Sequence, residues 1–391
     1  MPTTTPSLAP GRDAAGCAGA SDPGEMPTSA WSAAPGYLNA ATLGLPPRSA
    51  VAALQQAVLD WQRGAAGPVA YDDEVQRARA LFGRLCGVGP DAVAVGSQAS
   101  VVAGAVAASL PDGADVVCVD GDFGSVVYPF LVQAHRGVRV RHAPLEALAD
   151  EVARGTDLVA YSLAQSADGR VADAAAVREA AGRVGAMTFC DTTQAAGWLD
   201  VDAAADDVTV CSAYKWLCCP RGAAFSTYSP RALAAVRPVN AGWYAGESVW
   251  GSCYGPDMQA AHDARRHDVS PAWLAWVGTV PALQTLLDLP PGLARRHGTG
   301  LADRLLAALD LPPADRPVVA LDDPAGSRAT ALEAAGVSVA GRAGRVRIAF
   351  HLWNTEADVE LAVGALRAAG RGSGRAPSPS RADRDLSPLG L

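Results

Sequence analysis

The stretch DVTVCSAYKW, residues 207–216, joins an apolar run typical of a buried β-strand to Lys215. Lys215 is the only lysine in the chain, so the 32 Lys and Arg residues include 31 arginines besides it. Arg stays protonated and cannot attack a carbonyl group, whereas a desolvated Lys can lose its proton and form a Schiff base. A lysine is also an ordinary surface residue, so the residues around Lys215 must decide its role.

Similar apolar runs recur on both sides of this stretch. The predicted strands cover residues 91–97, 115–123, 138–145, 157–166, 187–194, 207–216 and 223–229. Helical patterns separate several of them, for example at 100–110 and 173–185. This alternation predicts an α/β fold with a mostly parallel seven-stranded sheet sandwiched by helices. Ligands of such sheets bind beyond the carboxyl ends of the strands, so the polar residues there are candidates for a site.

The pattern changes after about residue 280. Helical patterns at 281–289, 298–311 and 355–370 then alternate with short strand patterns at 317–321, 337–341 and 345–352. We therefore predict a large domain at 34–280 and a small α+β domain at 281–370. Residues 1–33 and 371–391 are rich in Pro, Ala, Ser and Gly, which predicts disordered extensions.

Composition excludes several classes of protein. The net charge of −8 argues against nucleic acid as a partner. No apolar run reaches the roughly 18–20 residues that a membrane span needs, and the first thirty residues hold no signal-peptide core. The eight cysteines are scattered and match no zinc spacing, so we predict no metal site. These features together predict a cytoplasmic location with reduced thiols.

Three strand ends carry groups that complement Lys215. Asp191 ends the run at 187–190, Phe123 follows the run at 115–119, and Ser97 begins a turn into a helix. A free helix N-terminus suits phosphate. Each group also has an ordinary interpretation, as a helix cap for Asp191 and Ser97 or as a core aromatic for Phe123.

Taken together, these groups are what pyridoxal 5′-phosphate (PLP) requires. Lys215 would hold the aldehyde as an imine, and Asp191 would keep the pyridine nitrogen protonated so that the ring accepts electrons. A charge close by shifts a pKa by about 1–3 units, which is enough to hold that proton. Phe123 would cover the ring, and the turn Ser97-Gln98-Ala99 would hold the phosphate.

The spacing of these residues resembles a known family. Asp191-x-x-Gln194, followed 24 residues after Asp191 by Lys215 in Ser212-x-Tyr214-Lys215, is similar to the class V aminotransferase family of fold-type I PLP enzymes. That family includes cysteine desulfurases, kynureninases, C–S lyases and isopenicillin N epimerase-like proteins. The resemblance covers about residues 35–370.

The resemblance implies a set of cofactor contacts and a homodimer with shared active sites. Gln194 would donate to the phenolic oxygen, Trp243 would donate its indole N–H, and Ser270 would reach the phosphate across the dimer interface. The full implied set is Ser97, Gln98, Ala99, Phe123, Asp191, Gln194, Ser212, Tyr214, Lys215, Trp243 and Ser270.

The resemblance also implies where the substrate binds. RVRIAFHLWNTEADVE (345–360) resembles the family's C-terminal block and places Arg347 at the position that binds a substrate carboxylate. Asn39 and Thr42 lie in GYLNAATLGLPP (36–47), which resembles the segment at the mouth of the site. Arg347 could instead form a surface ion pair. Candidates for the side-chain pocket, each of which could instead lie at an interface or in the core, are Trp243, Tyr244, Trp250, Arg266, His351 and Trp353.

One departure from the family concerns cysteine. The desulfurases carry a nucleophilic Cys shortly before the carboxylate-binding Arg, and AAGVSVAGRAGRVR (334–347) has none. A desulfurase is therefore the least favoured of the family's activities. Cys218 and Cys219 are interpreted as packing residues, and Cys253 as a weak catalytic candidate.

The sequence thus favours a PLP-dependent amino-acid enzyme of the aminotransferase type. The alternative is a β-lyase, such as a C–S lyase, or an epimerase acting on a modified amino acid, because all these reactions share the lysine. The chain has no G-x-G-x-x-G turn, no H-E-x-x-H and no G-x-S-x-G, which excludes nicotinamide enzymes, zinc proteases and α/β-hydrolases of the usual kinds.

Overall fold

A computed structural model describes residues 27–371. Within this range the chain forms ten β-strands and eleven α-helices. The strands are β1 (Val93–Gly96), β2 (Asp115–Val119), β3 (Arg139–Ala143), β4 (Leu158–Ser162), β5 (Met187–Asp191), β6 (Val208–Ser212), β7 (Ala224–Tyr228), β8 (Val318–Asp322), β9 (Ala340–Arg342) and β10 (Arg345–Ala349). The helices are α1 (Arg48–Gln62), α2 (Pro68–Leu85), α3 (Ala99–Ser109), α4 (Gly124–Leu131), α5 (Leu148–Glu151), α6 (Ala174–Val184), α7 (Pro230–Ala235), α8 (Trp273–Leu287), α9 (Leu293–Ala308), α10 (Ser327–Ala334) and α11 (Glu356–Arg371).

Seven strands form one sheet in the order β1-β7-β6-β5-β4-β2-β3. The strands β3, β2, β4, β5 and β6 pair in parallel, and β7 is antiparallel to both β6 and β1. Strand β1 therefore runs in the direction of β6. The carboxyl ends of six strands meet at one edge, which confirms the predicted mostly parallel sheet and brings the polar strand ends together.

Side-chain chemistry explains these elements. Strands β4 (LVAYS) and β6 (VTVCS) are buried along their whole length, as expected where helices cover both faces of a sheet. Helix α6 begins where the Asp173 carboxylate accepts the N–H of Ala176, and it ends at Gly185, whose φ of 78° few other residues adopt. Its buried stripe of Val177, Ala180 and Ala181 packs on the sheet.

A second sheet, ordered β8-β10-β9, is antiparallel and belongs to the predicted small domain. One face carries Val346 and Ile348, which pack with helices α9, α10 and α11 in a separate hydrophobic cluster. The opposite face carries Arg347 and Val318 and lies toward the large sheet, since Val318 belongs to the main hydrophobic cluster. The small sheet therefore holds Arg347 against the large domain.

The segment 36–44 connects the two sheets. Ala349 donates to the carbonyl of Leu38 at 2.8 Å, and Ser338 donates to Gly36 at 2.8 Å, so the segment extends the small sheet. A few residues later, Gly44 donates to the carbonyl of Tyr214 at 2.9 Å, beside the lysine of the large domain.

Two predicted boundaries shift. The boundary at residue 280 falls inside α8, which packs on α1 and α2 in the large domain. The predicted disordered start to residue 33 is too long, because Trp31 is buried and its indole N–H donates to Leu45 at 2.9 Å. Residues 1–26 and 372–391, which hold the rest of both predicted extensions, lie outside the described residues. Among the described helices, none combines the length and apolar character that a membrane span requires.

Two glycines of α9 allow a matched test of how the small domain packs. A Cβ on Gly298 would lie 2.8 Å from Pro317 Cβ and 3.2 Å from the Phe350 carbonyl oxygen, whereas a Cβ on Gly300 would meet nothing within 4 Å. We expect Gly300→Ala to raise the free energy of unfolding by about 0.5–1 kcal/mol through helix propensity. Gly298→Ala should lower it by roughly 1–3 kcal/mol through overpacking. Equal effects in chemical denaturation would contradict the packing described for this helix.

Candidate active site

Lys215 lies in a tight turn after β6 and is 6% exposed. The turn is closed by Cys218, which donates to the Lys215 carbonyl at 3.0 Å. Gly44 packs directly on this carbonyl, since a Cβ there would lie only 1.8 Å from the Lys215 oxygen. The lysine backbone is therefore held between its own turn and the segment 36–44. This close approach requires glycine at position 44.

The amine of Lys215 lies among aromatic rings. Its Nζ is 5.3 Å from the centre of the Phe123 ring and 5.7 Å from that of Tyr214. Among residues 27–371 it forms no ion pair. The pKa of Lys215 is lowered from 10.5 to about 8. Burial is the main cause, the charge of Asp191 opposes the lowering, and the charge of Arg347 adds to it. Lys215 thus has the neutral fraction that a nucleophilic amine needs near physiological pH.

Asp191 ends β5 and is buried. Its carboxylate accepts the N–H of Thr193 at 2.8 Å, and burial raises its pKa although this bond and Lys215 oppose the change. The predicted proximity of Asp191 and Lys215 agrees with this mutual effect on their pKa values. Asp191 is therefore a buried carboxylate available to a cationic partner.

A second carboxylate, Asp122, adjoins Phe123 and was not singled out from the sequence. It accepts the N–H of Ser162 at 2.8 Å and the Ser162 hydroxyl at 2.6 Å. Burial raises its pKa, and its charge acts on Asp191. Because Ser162 ends β4 and pairs with Asp191 in the sheet register, Asp122 adds negative potential near Asp191. Its place beside Phe123 at a strand end was the available signal.

Trp216 fixes the orientation of the side-chain amide of Gln194. Trp216 Nε1, which can only donate, lies 2.8 Å from Gln194 Oε1, so the amide nitrogen points the other way. There Nε2 donates to the Ala41 carbonyl at 2.9 Å and to Ser166 Oγ at 3.2 Å. Gln194 therefore presents a donor, as its predicted role requires, and Ser166 is an additional residue of the site.

Two of the predicted phosphate-binding residues meet where two strands end. The Ala99 N–H, at the start of α3, donates to Ser212 Oγ at 3.2 Å. Ser97 and Gln98 precede Ala99 and are exposed. Ser270 is exposed and follows Val269, which donates to the Val95 carbonyl in β1 at 3.2 Å. The N-terminus of α3 and Ser212 are thus in direct contact.

This arrangement depends on a buried ion pair. Arg79 in α2 and Asp268 approach to 2.6 Å, and Asp268 also accepts the Val95 N–H at 2.7 Å. Breaking one partner of such a pair leaves an uncompensated buried charge. The pair therefore fixes the strand β1 and the residues that lead to Ser270.

Arg347 is 1% exposed and has no carboxylate partner among the described residues. Its guanidinium donates to Thr42 Oγ1 at 2.7 Å and to the Ser166 carbonyl, and its Nε is buried without a partner. Burial lowers the pKa of Arg347 to about 10. Asn39 Oδ1, also buried, lacks a partner too. The alternative of a surface ion pair is thus excluded for the described residues, and a buried cation remains for an anionic ligand.

Several predicted pocket residues belong to the core instead. His351 is buried, stacks on Trp353 with ring centres 4.4 Å apart, and burial lowers its pKa to about 4. Tyr244 is 1% exposed and bonds Asp72. His351 fills space behind the lysine turn beside Trp216 and Cys218, whereas Tyr244 packs on Trp243. Burial in the core accounts for both.

The other candidates contact neighbours rather than the lysine. Trp243 packs on Trp250 at 5.2 Å, and within residues 27–371 its indole forms no hydrogen bond to the cluster around Lys215. Arg266 donates to the Ala261 carbonyl at 2.9 Å. The cofactor role of Trp243 therefore stays a prediction.

The cysteines near the lysine are packed. Cys218 adopts a φ of 58°, its Sγ lies 3.7 Å from His351 Nε2, and burial raises its thiol pKa well above the usual value. Cys219 is buried, with a raised pKa for the same reason. Neither thiol is an available nucleophile. Cys253 is exposed.

Residues 93–314 match the family described as aminotransferase class-V, which is more than half of the chain. The chain belongs to the class V aminotransferase family. An uncharacterized aminotransferase of Bacillus subtilis is 28% identical over 313 residues, covering 74% of this chain and 82% of that protein. The kynureninase of Deinococcus radiodurans is 29% identical over 294 residues, covering 70% and 71%.

Several solved structures share the fold. The cysteine desulfurase CsdA of Escherichia coli superimposes with a TM-score of 0.77 at 19% identity, over 90% of this chain and 98% of that one. A variant of C-DES with glycine linked to its PLP cofactor gives 0.76 at 18% identity, over 89% and 99%. The predicted family and fold class are confirmed, and with the family the enzyme class and PLP as the cofactor.

Because the chain has one lysine, its pKa can be measured directly. Cofactor-free protein labelled with ¹³C at lysine Cε gives one lysine resonance, and we expect its titration midpoint near 8 rather than 10.5. Asp191→Asn should lower this midpoint, since the carboxylate stabilises the ammonium form, and Arg347→Gln should raise it. The exposed Arg328, at the start of α10, is a control whose change to Gln should leave the midpoint unchanged. A wild-type midpoint above 10 would refute the described burial.

Proposed function

We propose that this chain is a PLP-dependent enzyme that acts on an α-amino acid through Lys215, with aminotransferase-type chemistry. The observation that carries this proposal is the buried, carboxylate-free guanidinium of Arg347, whose charge acts on Lys215. A buried cation is costly without an anion, and a substrate carboxylate would supply one in bidentate form. The amino group of the same substrate would then lie toward Lys215.

The described residues fit the cofactor. Bound PLP would supply an aldehyde for the amine and a cationic ring that withdraws electrons from the substrate α-carbon. Lys215 would bind the aldehyde, and Asp191 would hold a proton on the ring nitrogen. Burial raises the pKa of Asp191 because it disfavours the charged carboxylate, and the cationic ring would offset this cost. Ser212 and the Ala99 N–H would bind the phosphate.

Lys215 would also move the proton. Its amine, with a pKa lowered to about 8, would accept the proton of the substrate α-carbon. Return of that proton to the other face of the α-carbon gives an epimer, and loss of a β-substituent gives a lyase. Transamination requires its return to a different atom. The amine lies over the rings of Phe123 and Tyr214. These rings would limit the directions in which the amine can carry the proton.

We further propose that Gln194 binds the phenolic oxygen by giving up its bond to Ser166, and that Asn39 and Thr42 orient the substrate beside Arg347. The exposed position of Ser270 supports a homodimer with shared sites. A monomeric mass in sedimentation equilibrium would refute the dimer.

The first test concerns the lysine. We expect purified holoenzyme to show a visible band that borohydride bleaches, with the cofactor mass then found on Lys215 by peptide mapping. Lys215→Ala should lack the band. If that variant keeps it, the assignment fails. Amino-acid consumption that requires an added α-keto acid supports the aminotransferase, whereas pyruvate or ammonia release without one favours the β-lyase, and racemised substrate favours the epimerase.

The second test concerns Arg347. Arg347→Gln should weaken binding of the most responsive amino acid by about tenfold to a hundredfold, because a charge-assisted hydrogen bond contributes roughly 1.5–3 kcal/mol. Binding of the corresponding amine, which lacks the carboxylate, should change little. Arg347→Lys should recover only part of the loss, since it keeps the charge but not the planar fork. Equal losses for amine and amino acid, measured by cofactor absorbance, would refute the carboxylate role.

A further inference from the structure

The hairpin of β9 and β10 carries another arginine on the face of Arg347. In its register Arg342 lies opposite Arg345, and Ala340 lies opposite Arg347. Residues directly opposite each other share one face, and so do residues two apart on a strand. Arg342, Arg345 and Arg347 therefore point toward the large domain.

These three arginines differ in their partners. Arg345 is neutralised by Asp168 and Asp322, each 3.2 Å away. Among residues 27–371, Arg342 has no ion pair, and its guanidinium donates only to the Gly341 carbonyl at 2.6 Å. Arg342 and Arg347 are thus two cations on one face that no carboxylate of the described chain neutralises.

The turn holds Arg342 in place. Ala343 and Gly344 connect β9 to β10 with φ values of 48° and 73°. Two central residues with positive φ are typical of the tightest hairpin turn, which fixes the register of its strands. Arg342 is the last residue before this turn and is exposed, whereas Arg347 is buried. The pair thus extends from the buried site toward solvent.

The charge of Arg342 reaches the site. It lowers the pKa of Lys215 and also that of Arg347. Arg342 is thus an exposed cation on the face of Arg347 whose charge acts on both groups that would bind the substrate.

We propose that Arg342 binds a second acidic group of the substrate, so that the preferred substrate is an α-amino acid whose side chain ends in a carboxylate or a similar anion. This inference rests on the proposed function, in which Arg347 takes the α-carboxylate. Arg342 would act as a specificity residue, because a neutral side chain of the same shape gains no charge-assisted bond from it.

The test uses matched amino acids and the holoenzyme. Dissociation constants for aspartate and asparagine, glutamate and glutamine, and 2-aminoadipate and norleucine are measured by cofactor absorbance. We expect the acidic member of at least one pair to bind about tenfold more tightly. In Arg342→Gln this ratio should fall to about one. Higher ionic strength should reduce the wild-type ratio, since the contact lies near solvent.

The control is Arg328→Gln, which removes an exposed arginine of the small domain elsewhere and should keep the wild-type ratio. Unfolding midpoints and the visible band of each variant show that fold and cofactor are intact. The inference is overturned if no pair favours its acidic member, or if Arg342→Gln keeps the preference. Absence of a spectral response to every amino acid would instead overturn the proposed function itself.

Discussion

Removal of the Lys215 amine from water is the constraint on which the rest of the site depends. Burial opposes the charged form and lowers its pKa, and the nearby Arg347 acts in the same direction. Asp191 is the largest cause that opposes this lowering, and it is itself buried at a cost to its charged form. The site therefore concentrates groups whose ordinary charge states are unfavourable until an aldehyde, a ring cation and a carboxylate are bound.

The backbone that maintains this burial comes from distant parts of the chain. Gly44 packs on the Lys215 carbonyl, and the residues just before it pair with the small sheet through Leu38 and Ala349. Arg347, on the same sheet, donates to Thr42 in that segment. The segment 36–44 thus connects Arg347 to the lysine turn, and a shift of the small sheet would reach both.

Sequence alone predicted the parts of the site that follow from local pattern. Asp191 and Lys215 stand at the ends of apolar strands, and parallel strands bring such ends together. Asp122 and Ser166 act through hydrogen bonds between distant segments, which periodicity does not reveal. For His351 the sequence left both a pocket and a core position open, because an aromatic side chain suits either, and the structure places it in the core. The burial of Arg347 could not be predicted from the sequence either, because it depends on how the small sheet packs against the large domain.

Because the charge of Arg347 lowers the pKa of Lys215, an anion that binds Arg347 also changes the pKa of Lys215. A carboxylate bound to Arg347 cancels part of the positive field at the amine, so that field no longer lowers the pKa of Lys215 to the same extent. Thermodynamic reciprocity then requires that an anion bind more tightly when the amine is protonated. The arrival of the substrate carboxylate would thus make the lysine a stronger base at the moment when a proton must be taken from the α-carbon. Binding of an anion at Arg347 would thus make the Lys215 amine more basic without any movement of the chain.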